Sequence, residues 1–279
     1  MRPNFVDRTQ LLEKAAKVID NNDGTDLVLT GMAGSGKTEL LLKIASQQGA
    51  HRNVFVLSAS DHAALNRKLE EYACLVGHDV IRRRFPYPEL HARWTAFPSE
   101  IQRQLFLEWA AETQNNCVII IDELDGGGNV DKILNDLPQC ARIAVSTRNP
   151  EIIQTLSKRA KCSNIPIIEL EMDEARSLIT SLIASKDFKI SLEQTERLAI
   201  ALAMHPFAIC AASEYLPRLR RVIDPLRQKF TLEAFINILE EWEYNIPRES
   251  ILTESAQRDW LEDTLNQRAN AAFANLLYD

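Results

Sequence analysis

The chain has 279 residues, of which 46% are hydrophobic and 25% are charged. This composition is typical of a folded globular protein, and it excludes a disordered chain. The formal net charge of −7 argues against a protein that binds nucleic acid through its overall charge, although a local basic patch is compatible with it.

The sequence carries no signal for membrane insertion or secretion. No apolar run approaches the ~20 residues that a transmembrane helix needs, and the N-terminal residues lack the apolar core of a signal peptide. The five cysteines are widely spaced and include no Cys-x-x-Cys pair, so neither a zinc site nor a disulfide framework is expected. These features predict a cytoplasmic protein without a membrane partner.

Helical patterns alternate with short apolar runs through the first two-thirds of the chain. The alternation predicts a parallel α/β sheet, because parallel strands need helical crossovers. Residues 117–121 are apolar on both faces, which is typical of a central strand covered on both sides. Strands are predicted at 27–30, 53–58, 117–122, 142–147 and 165–170. Helices are predicted at 5–19, 37–47, 61–76 and 99–113, with a short helix that ends at residue 137 and another that follows Pro150.

The last third of the chain reads as helical, with a domain boundary near residue 171. Helices are predicted at 173–185, 192–204, 206–220, 231–242 and 254–277. We therefore expect a sheet domain over residues 1–171, a helical domain over 172–245 and a C-terminal helix over 246–279.

A glycine-rich loop follows the first strand and precedes a helix. Its sequence, Gly31-Met32-Ala33-Gly34-Ser35-Gly36-Lys37-Thr38, fits the phosphate-loop pattern G-x-x-x-x-G-K-[ST] at every fixed position. The glycines allow close backbone approach, so the loop N–H groups can surround a β-phosphate while Lys37 reaches the β- and γ-phosphates. The Thr38 hydroxyl is a hard oxygen ligand that suits Mg²⁺. The candidate nucleotide-binding residues here are Gly31, Ala33, Gly34, Ser35, Gly36, Lys37, Thr38 and Glu39.

Two acidic residues, Asp122 and Glu123, follow the third strand. The end of a parallel strand lies at the same sheet edge as the phosphate loop, so Asp122 is a candidate Mg²⁺ ligand. Glu123 is a candidate for orienting or deprotonating the attacking water, and Asp125 is an alternative for that role. A solvated strand end is the alternative interpretation of this pair. With the phosphate loop, these residues predict an α/β fold, a parallel five-stranded P-loop NTPase sheet flanked by helices and followed by an all-helical domain.

Several segments in a fixed order resemble the NB-ARC branch of the STAND nucleotide-binding proteins, the switch module of NLR-type receptors. Phe5-Val6-Asp7-Arg8 resembles the entry motif of that family, with Asp7 in place of the usual glycine. Residues 144–148 resemble its sensor strand, and residues 172–178 resemble the opening of its helical domain. Residues 205–209 resemble its Gly-Leu-Pro-Leu-Ala motif, with His205 and Phe207 as the departures.

The resemblance implies roles for further residues. Phe5, Val6 and Arg8 would contribute to the nucleotide site, with the backbone around the first two holding adenine. Arg148 would act catalytically as a γ-phosphate sensor, which suits its permanent charge, while a surface ion pair is the alternative. Pro206 would pack against the nucleotide, although a proline at the first position of a helix needs no such role.

As a function, the resemblance implies an ATP/ADP switch in immune or cell-death signalling. Its hydrolysis would be slow, so the chain would be a weak ATPase at most, with Mg²⁺ as cofactor and a homo-oligomer as its ATP state. The family continues with a winged-helix domain and sensor repeats, and nothing after residue 220 resembles a complete winged helix. The chain is therefore expected to be a fragment or a reduced member, with effector and sensor domains missing or supplied by partners.

Two other functions stay open. The first is a turnover ATPase of the AAA+ type that acts on DNA or protein partners, with Arg142 or Arg159 as a candidate arginine finger. The second is a DNA-binding regulator on the same core, which the acidic balance disfavours along with other nucleic-acid partners. The basic and aromatic residues 82–88 read as a solvated loop. The guanine-specific Asn-Lys-x-Asp pattern is absent, in agreement with an adenine nucleotide.

Overall fold

The computed structural model describes residues 6–21, 24–60, 62–84, 97–112, 117–126, 134, 137, 142–184, 189–223 and 231–243. The predictions made for Phe5, for residues 85–88, for all but two residues of the short helix up to 137, and for the C-terminal helix over 246–279 lie outside these ranges.

The elements follow one another in the predicted alternation of helices and strands. In chain order they are α1 (Thr9–Asp20), β1 (Asp26–Thr30), α2 (Lys37–Gln48), β2 (Asn53–Ser58), α3 (His62–Arg84), α4 (Ser99–Glu112), β3 (Cys117–Asp122), β4 (Arg142–Thr147), α5 (Glu151–Ser157), β5 (Cys162–Pro166), α6 (Met172–Ala184), α7 (Leu192–Ala201), α8 (Pro206–Ile223) and α9 (Leu232–Glu243). No helix among the described residues is long and apolar enough to cross a membrane.

The five strands form one parallel sheet in the order β2-β3-β4-β1-β5. The predicted α/β class with a five-stranded P-loop NTPase sheet is therefore confirmed. Strand β4 lies between β1 and β3, with Thr147 opposite Thr30 and Val145 opposite Ile121. This register brings the carboxyl ends of the three strands to the same edge of the sheet.

Both faces of the sheet are covered by helices, as the apolar third strand predicts. In β3, Val118 and Ile120 pack into a core with helices α1 and α2, whereas Ile119 and Ile121 pack on the other face with α3 and α4. Each of these β3 side chains is fully buried. At roughly 25 cal/mol per Å² of apolar surface, burial of this kind is the main contribution that holds the strands in register.

Several predicted boundaries were wrong, among them the end of α7, which lies at Ala201 rather than at residue 204. The last strand runs from Cys162 to Pro166 rather than over 165–170, because the apolar run around Ile167 continues past the sheet and leaves Ile168 exposed. Helix α3 runs to Arg84, although residues 82–84 were expected in a loop.

The chain divides into two compact units. The first contains Thr9–Gly31 and Lys37–Ile167. The second contains Ile168–Asp279 together with Arg2–Arg8 and Met32–Gly36, as far as these ranges are described. The loop interior that follows the first strand thus belongs to the helical unit.

The helical unit has its own apolar core, to which helices α6 to α9 all contribute. Its polar side is held by Arg197 of α7, whose guanidinium binds Glu233, Asn237 and Glu240 of α9. Helix α7 begins with a reciprocal capping box between Ser191 and Gln194, each accepting a hydrogen bond from the other's backbone N–H at 3.1 Å.

A buried carboxylate, Asp26, begins β1 at the edge of the sheet opposite the phosphate loop. The side chain is 2% exposed, and its Oδ1 accepts the Ile143 N–H at 3.2 Å. Its Oδ2 has no hydrogen-bond partner within the described part of the chain. Burial raises the pKa of Asp26 to about 6, partly opposed by the charge of Arg159 and by the Ile143 hydrogen bond.

Replacing Asp26 with Asn tests this burial, because it removes the titrating group and keeps an oxygen for the Ile143 N–H. Since the folded-state pKa lies above its ordinary value of 3.8, the wild-type protein loses stability as the pH rises from about 4 to about 6. The variant should lose this pH dependence and gain up to about 3 kcal/mol in free energy of unfolding at neutral pH. Chemical denaturation across this interval measures both, and an unchanged slope would contradict the burial of the charge.

Candidate functional site

The phosphate-loop motif lies where the sequence predicts it, between β1 and α2. The loop follows Thr30, and helix α2 begins at Lys37. Gly34 and Gly36 have φ angles of +71° and +94°, which side chains rarely allow. The Thr38 side chain is exposed at the first turn of the helix, and Glu39 follows it, half-buried.

Lys37 is buried at 8% exposure, and its Nζ donates a hydrogen bond to the Gly31 carbonyl at 2.9 Å. Burial lowers its pKa, and the charge of Arg148 adds to this shift. The carboxylates of Asp125, Asp122 and Glu123 oppose it. The structure thus brings the predicted lysine and the predicted acidic residues into one electrostatic cluster.

A serine that is not among the predicted site residues joins the two acidic residues. The buried Ser146 Oγ, at the end of β4, donates to Asp122 Oδ1 and accepts the Glu123 N–H at 3.0 Å. Glu123 has a φ of 60°, an uncommon value for a residue with a side chain, of the kind that clusters at functional sites. The strand order was the missing signal, since only the β4–β3 pairing places this polar strand end beside Asp122.

Arg148 is held by Asp125 at the same edge. Its Nε binds Asp125 Oδ2 at 2.5 Å, and its backbone N–H donates to Asp125 Oδ1, which also accepts the Thr147 hydroxyl at 3.4 Å. Both oxygens of Asp125 are therefore engaged.

The remaining predicted nucleotide contacts lie in the second unit. Arg8 donates to the carbonyls of Ile168 and Glu169 at 3.1 and 3.0 Å, and its Nε lies 3.3 Å from Glu174 Oε2. Its guanidinium thus ties the N-terminal segment to the start of the helical unit. Val6 packs partly buried against the helical core, and Pro206 is the first residue of α8. A nucleotide role for these residues stays a prediction.

The oxygen donors suit a magnesium ion bound together with phosphates. Mg²⁺ is usually held by one or two protein oxygens, with the remaining positions filled by phosphate and water. The exposed Thr38 hydroxyl and the half-buried Asp122 carboxylate supply such oxygens. In the described ranges, no group of three or more His, Cys, Asp or Glu side chains is arranged to hold a metal.

Comparison with known proteins supports the P-loop NTPase assignment. Residues 27–154 match the sequence profile of the ATPase family associated with various cellular activities (AAA), which is less than half of the chain. No protein of curated function matches the sequence. The matched range contains the phosphate loop, the acidic pair and Arg148.

Solved structures share the fold at low sequence identity. The Walker-type ATPase PABY2304 of Pyrococcus abyssi is 13% identical, with 88% of this chain and 78% of that chain covered and a TM-score of 0.53. The RuvB Holliday junction branch migration motor of Thermotoga maritima is 16% identical, with 99% and 85% covered and a TM-score of 0.52. Together with the sheet order, these comparisons establish a P-loop NTPase fold.

The packing around Gly34 predicts an effect of Gly34→Ala that a matched glycine does not share. A methyl group there would lie 2.6 Å from Phe207 Cβ and 2.8 Å from His205 Cε1. Gly24 has nearly the same φ, +72°, but a methyl group on it would meet no described atom within 4 Å. Gly24→Ala should cost about 1 kcal/mol for backbone strain alone, and Gly34→Ala about 2–4 kcal/mol because overpacking adds to the strain. Thermal unfolding of the two variants measures the difference, and equal losses would contradict the contact.

Proposed function

We propose that the protein is a Mg²⁺-dependent ATPase of the AAA type that turns over ATP. One observation carries the proposal. Lys37 of the phosphate-loop motif lies near Asp122 and Glu123, which follow β3, at one edge of the sheet. The AAA profile match over residues 27–154 supports it. The matched profile is AAA rather than NB-ARC, so the proposal follows the turnover alternative and not the slow signalling switch.

In this proposal each residue has a physical task. The loop N–H groups and the Lys37 ammonium bind the phosphate chain, and the ammonium stabilises charge that develops on the transferred phosphoryl group. Thr38 and Asp122 would hold Mg²⁺, which would neutralise phosphate charge when bound. Ser146 fixes the Asp122 carboxylate by donating to it, and so limits its orientation.

Glu123 orients the attacking water and accepts its proton as the water oxygen bonds to the γ-phosphorus and ADP leaves. Its backbone is held by Ser146, so the carboxylate starts from a fixed point. Arg148 stabilises phosphate charge once it exchanges its Asp125 contact for phosphate oxygens, which are also bidentate acceptors. ADP, phosphate and one proton are the products.

The proposal extends to partners. RuvB of Thermotoga maritima, whose fold is similar, is described as a branch migration motor on Holliday junctions. We therefore propose self-association with nucleotide and a DNA or protein substrate. The acidic net charge of −7 favours a confined contact surface over binding along the whole molecule.

Two substitutions separate binding from hydrolysis. Lys37→Ala should abolish ATP binding, whereas Glu123→Gln should bind ATP with wild-type affinity and hydrolyse it at least about 100-fold more slowly, because general-base catalysis is lost. Calorimetric titration and phosphate release measure the two effects. Lys43→Ala, in the same helix, is the control and should change neither. Wild-type hydrolysis by Glu123→Gln would remove the glutamate from the mechanism.

Ser146→Ala tests the link between the two acidic residues. The change leaves the Glu123 N–H without its side-chain acceptor and frees the Asp122 carboxylate, so ATP hydrolysis should fall about 10-fold or more, while the Kd for ATP changes less. Ser58→Ala is the control. Ser58 lies at the end of β2, which pairs with β3, and its hydroxyl forms a hydrogen bond with Ser60 and with neither acidic residue. Equal rates for the two variants would contradict the proposed role of Ser146.

A further inference from the structure

His205 forms hydrogen bonds through both nitrogens of its ring. Nε2 lies 3.1 Å from the carbonyl oxygen of Ala33 in the phosphate loop, and Nδ1 lies 3.4 Å from the N–H of Ala208 in helix α8. All three residues belong to the second unit. A carbonyl only accepts and an N–H only donates, so the two contacts together require the neutral ring with its proton on Nε2.

The contact with Ala33 fixes the direction of a loop donor. A trans peptide is planar, and its C=O and N–H point in opposite directions. With the Ala33 carbonyl held by His205, the N–H of Gly34 points away from the histidine. The N–H groups of a phosphate loop are the groups that bind phosphate, so this peptide's orientation bears on phosphate affinity.

The position of the ring is itself constrained. Gly34 packs so closely on His205 and Phe207 that no Cβ fits there. Ala203 and Met204, directly before the histidine, have φ angles of 51° and 53°. Two consecutive left-handed residues without glycine are strained, and such strain persists where the surroundings over-determine it. His205 is also the residue before α8, and its carbonyl accepts the Ile209 N–H at 3.0 Å.

We propose that His205 is a positioning residue of the phosphate loop. Its contact with the Ala33 carbonyl holds the Ala33–Gly34 peptide in the orientation that binds a nucleotide's phosphate chain. This inference rests on the proposed nucleotide binding. His205 and Phe207 are also the two positions that depart from the Gly-Leu-Pro-Leu-Ala motif, so the contact is a feature of this chain's own sequence. Through it, the start of α8 and the phosphate loop hold one another in place.

Two variants separate the contact with the loop from the contact with the helix. In His205→Asn the shorter side chain still caps α8, since Asn is a good N-cap, but it does not reach Ala33. In His205→Gln the longer side chain carries an amide donor to the position of Nε2. We expect the Asn variant to bind ADP about 3- to 10-fold more weakly, and the Gln variant to bind within about 2-fold of wild type.

Ser191→Ala is the matched control, because it removes the N-cap of α7 without touching the loop. It should lower the melting temperature and leave the Kd for ADP unchanged. Wild-type affinity in His205→Asn, or a loss in His205→Gln equal to that in the Asn variant, would overturn the inference. Failure of the wild-type chain itself to bind ADP would instead overturn the proposed function. Lys37→Ala provides the signal expected when no nucleotide binds.

Discussion

The position of β4 between β1 and β3 decides which side chains meet at the candidate site. If β1 and β3 were direct neighbours, Asp122 would lie one strand closer to the phosphate loop and Ser146 would have no access to it. With β4 inserted, a hydroxyl at its end bridges the Asp122 carboxylate and the Glu123 backbone. Arg148, the residue directly after β4, forms an ion pair with Asp125. The chemistry proposed here follows from that strand order.

At this edge of the sheet, the Lys37 ammonium loses hydration through burial and lies near several carboxylates. Lys37 is removed from water, which disfavours its charged form, and the nearby carboxylates partly restore it. Asp125 is paired with Arg148, and Asp122 accepts a hydrogen bond from the Ser146 hydroxyl. A phosphate chain that binds Lys37 adds a second source of negative charge. A nucleotide bound as proposed would therefore favour the charged form of Lys37.

Much of this arrangement could be predicted from sequence because the signals are local. The phosphate-loop motif, the apolar strand at 117–121 and the strand at 142–147 are each contained in a few consecutive residues. The predicted bounds of β5 were wrong because β5 is an edge strand. It is buried less completely than a central strand, so its residues form a shorter and less apolar run around Ile165. The role of Ser146 required the strand order, and that of His205 required a contact between residues 172 positions apart. Neither is visible in local periodicity.

The family resemblance agrees with the P-loop NTPase fold, whereas the sequence profile that matches is that of the AAA family. Its motifs at 144–148 and 205–209 mark real structural positions, the end of β4 and the start of α8. The residues that fill them differ in ways that matter, since His205 binds the loop carbonyl. Positions 144–148 lie at the end of a sheet strand, whereas positions 205–209 open a helix of the helical unit.

The most direct test of the account is the steady-state rate of phosphate release from ATP by the full chain, with and without Mg²⁺. The account predicts Mg²⁺-dependent turnover at about 1 s⁻¹ or faster, which is the range of an ordinary turnover enzyme. A protein that keeps stoichiometric ADP and releases no phosphate above the buffer rate would contradict turnover and support a nucleotide-locked switch.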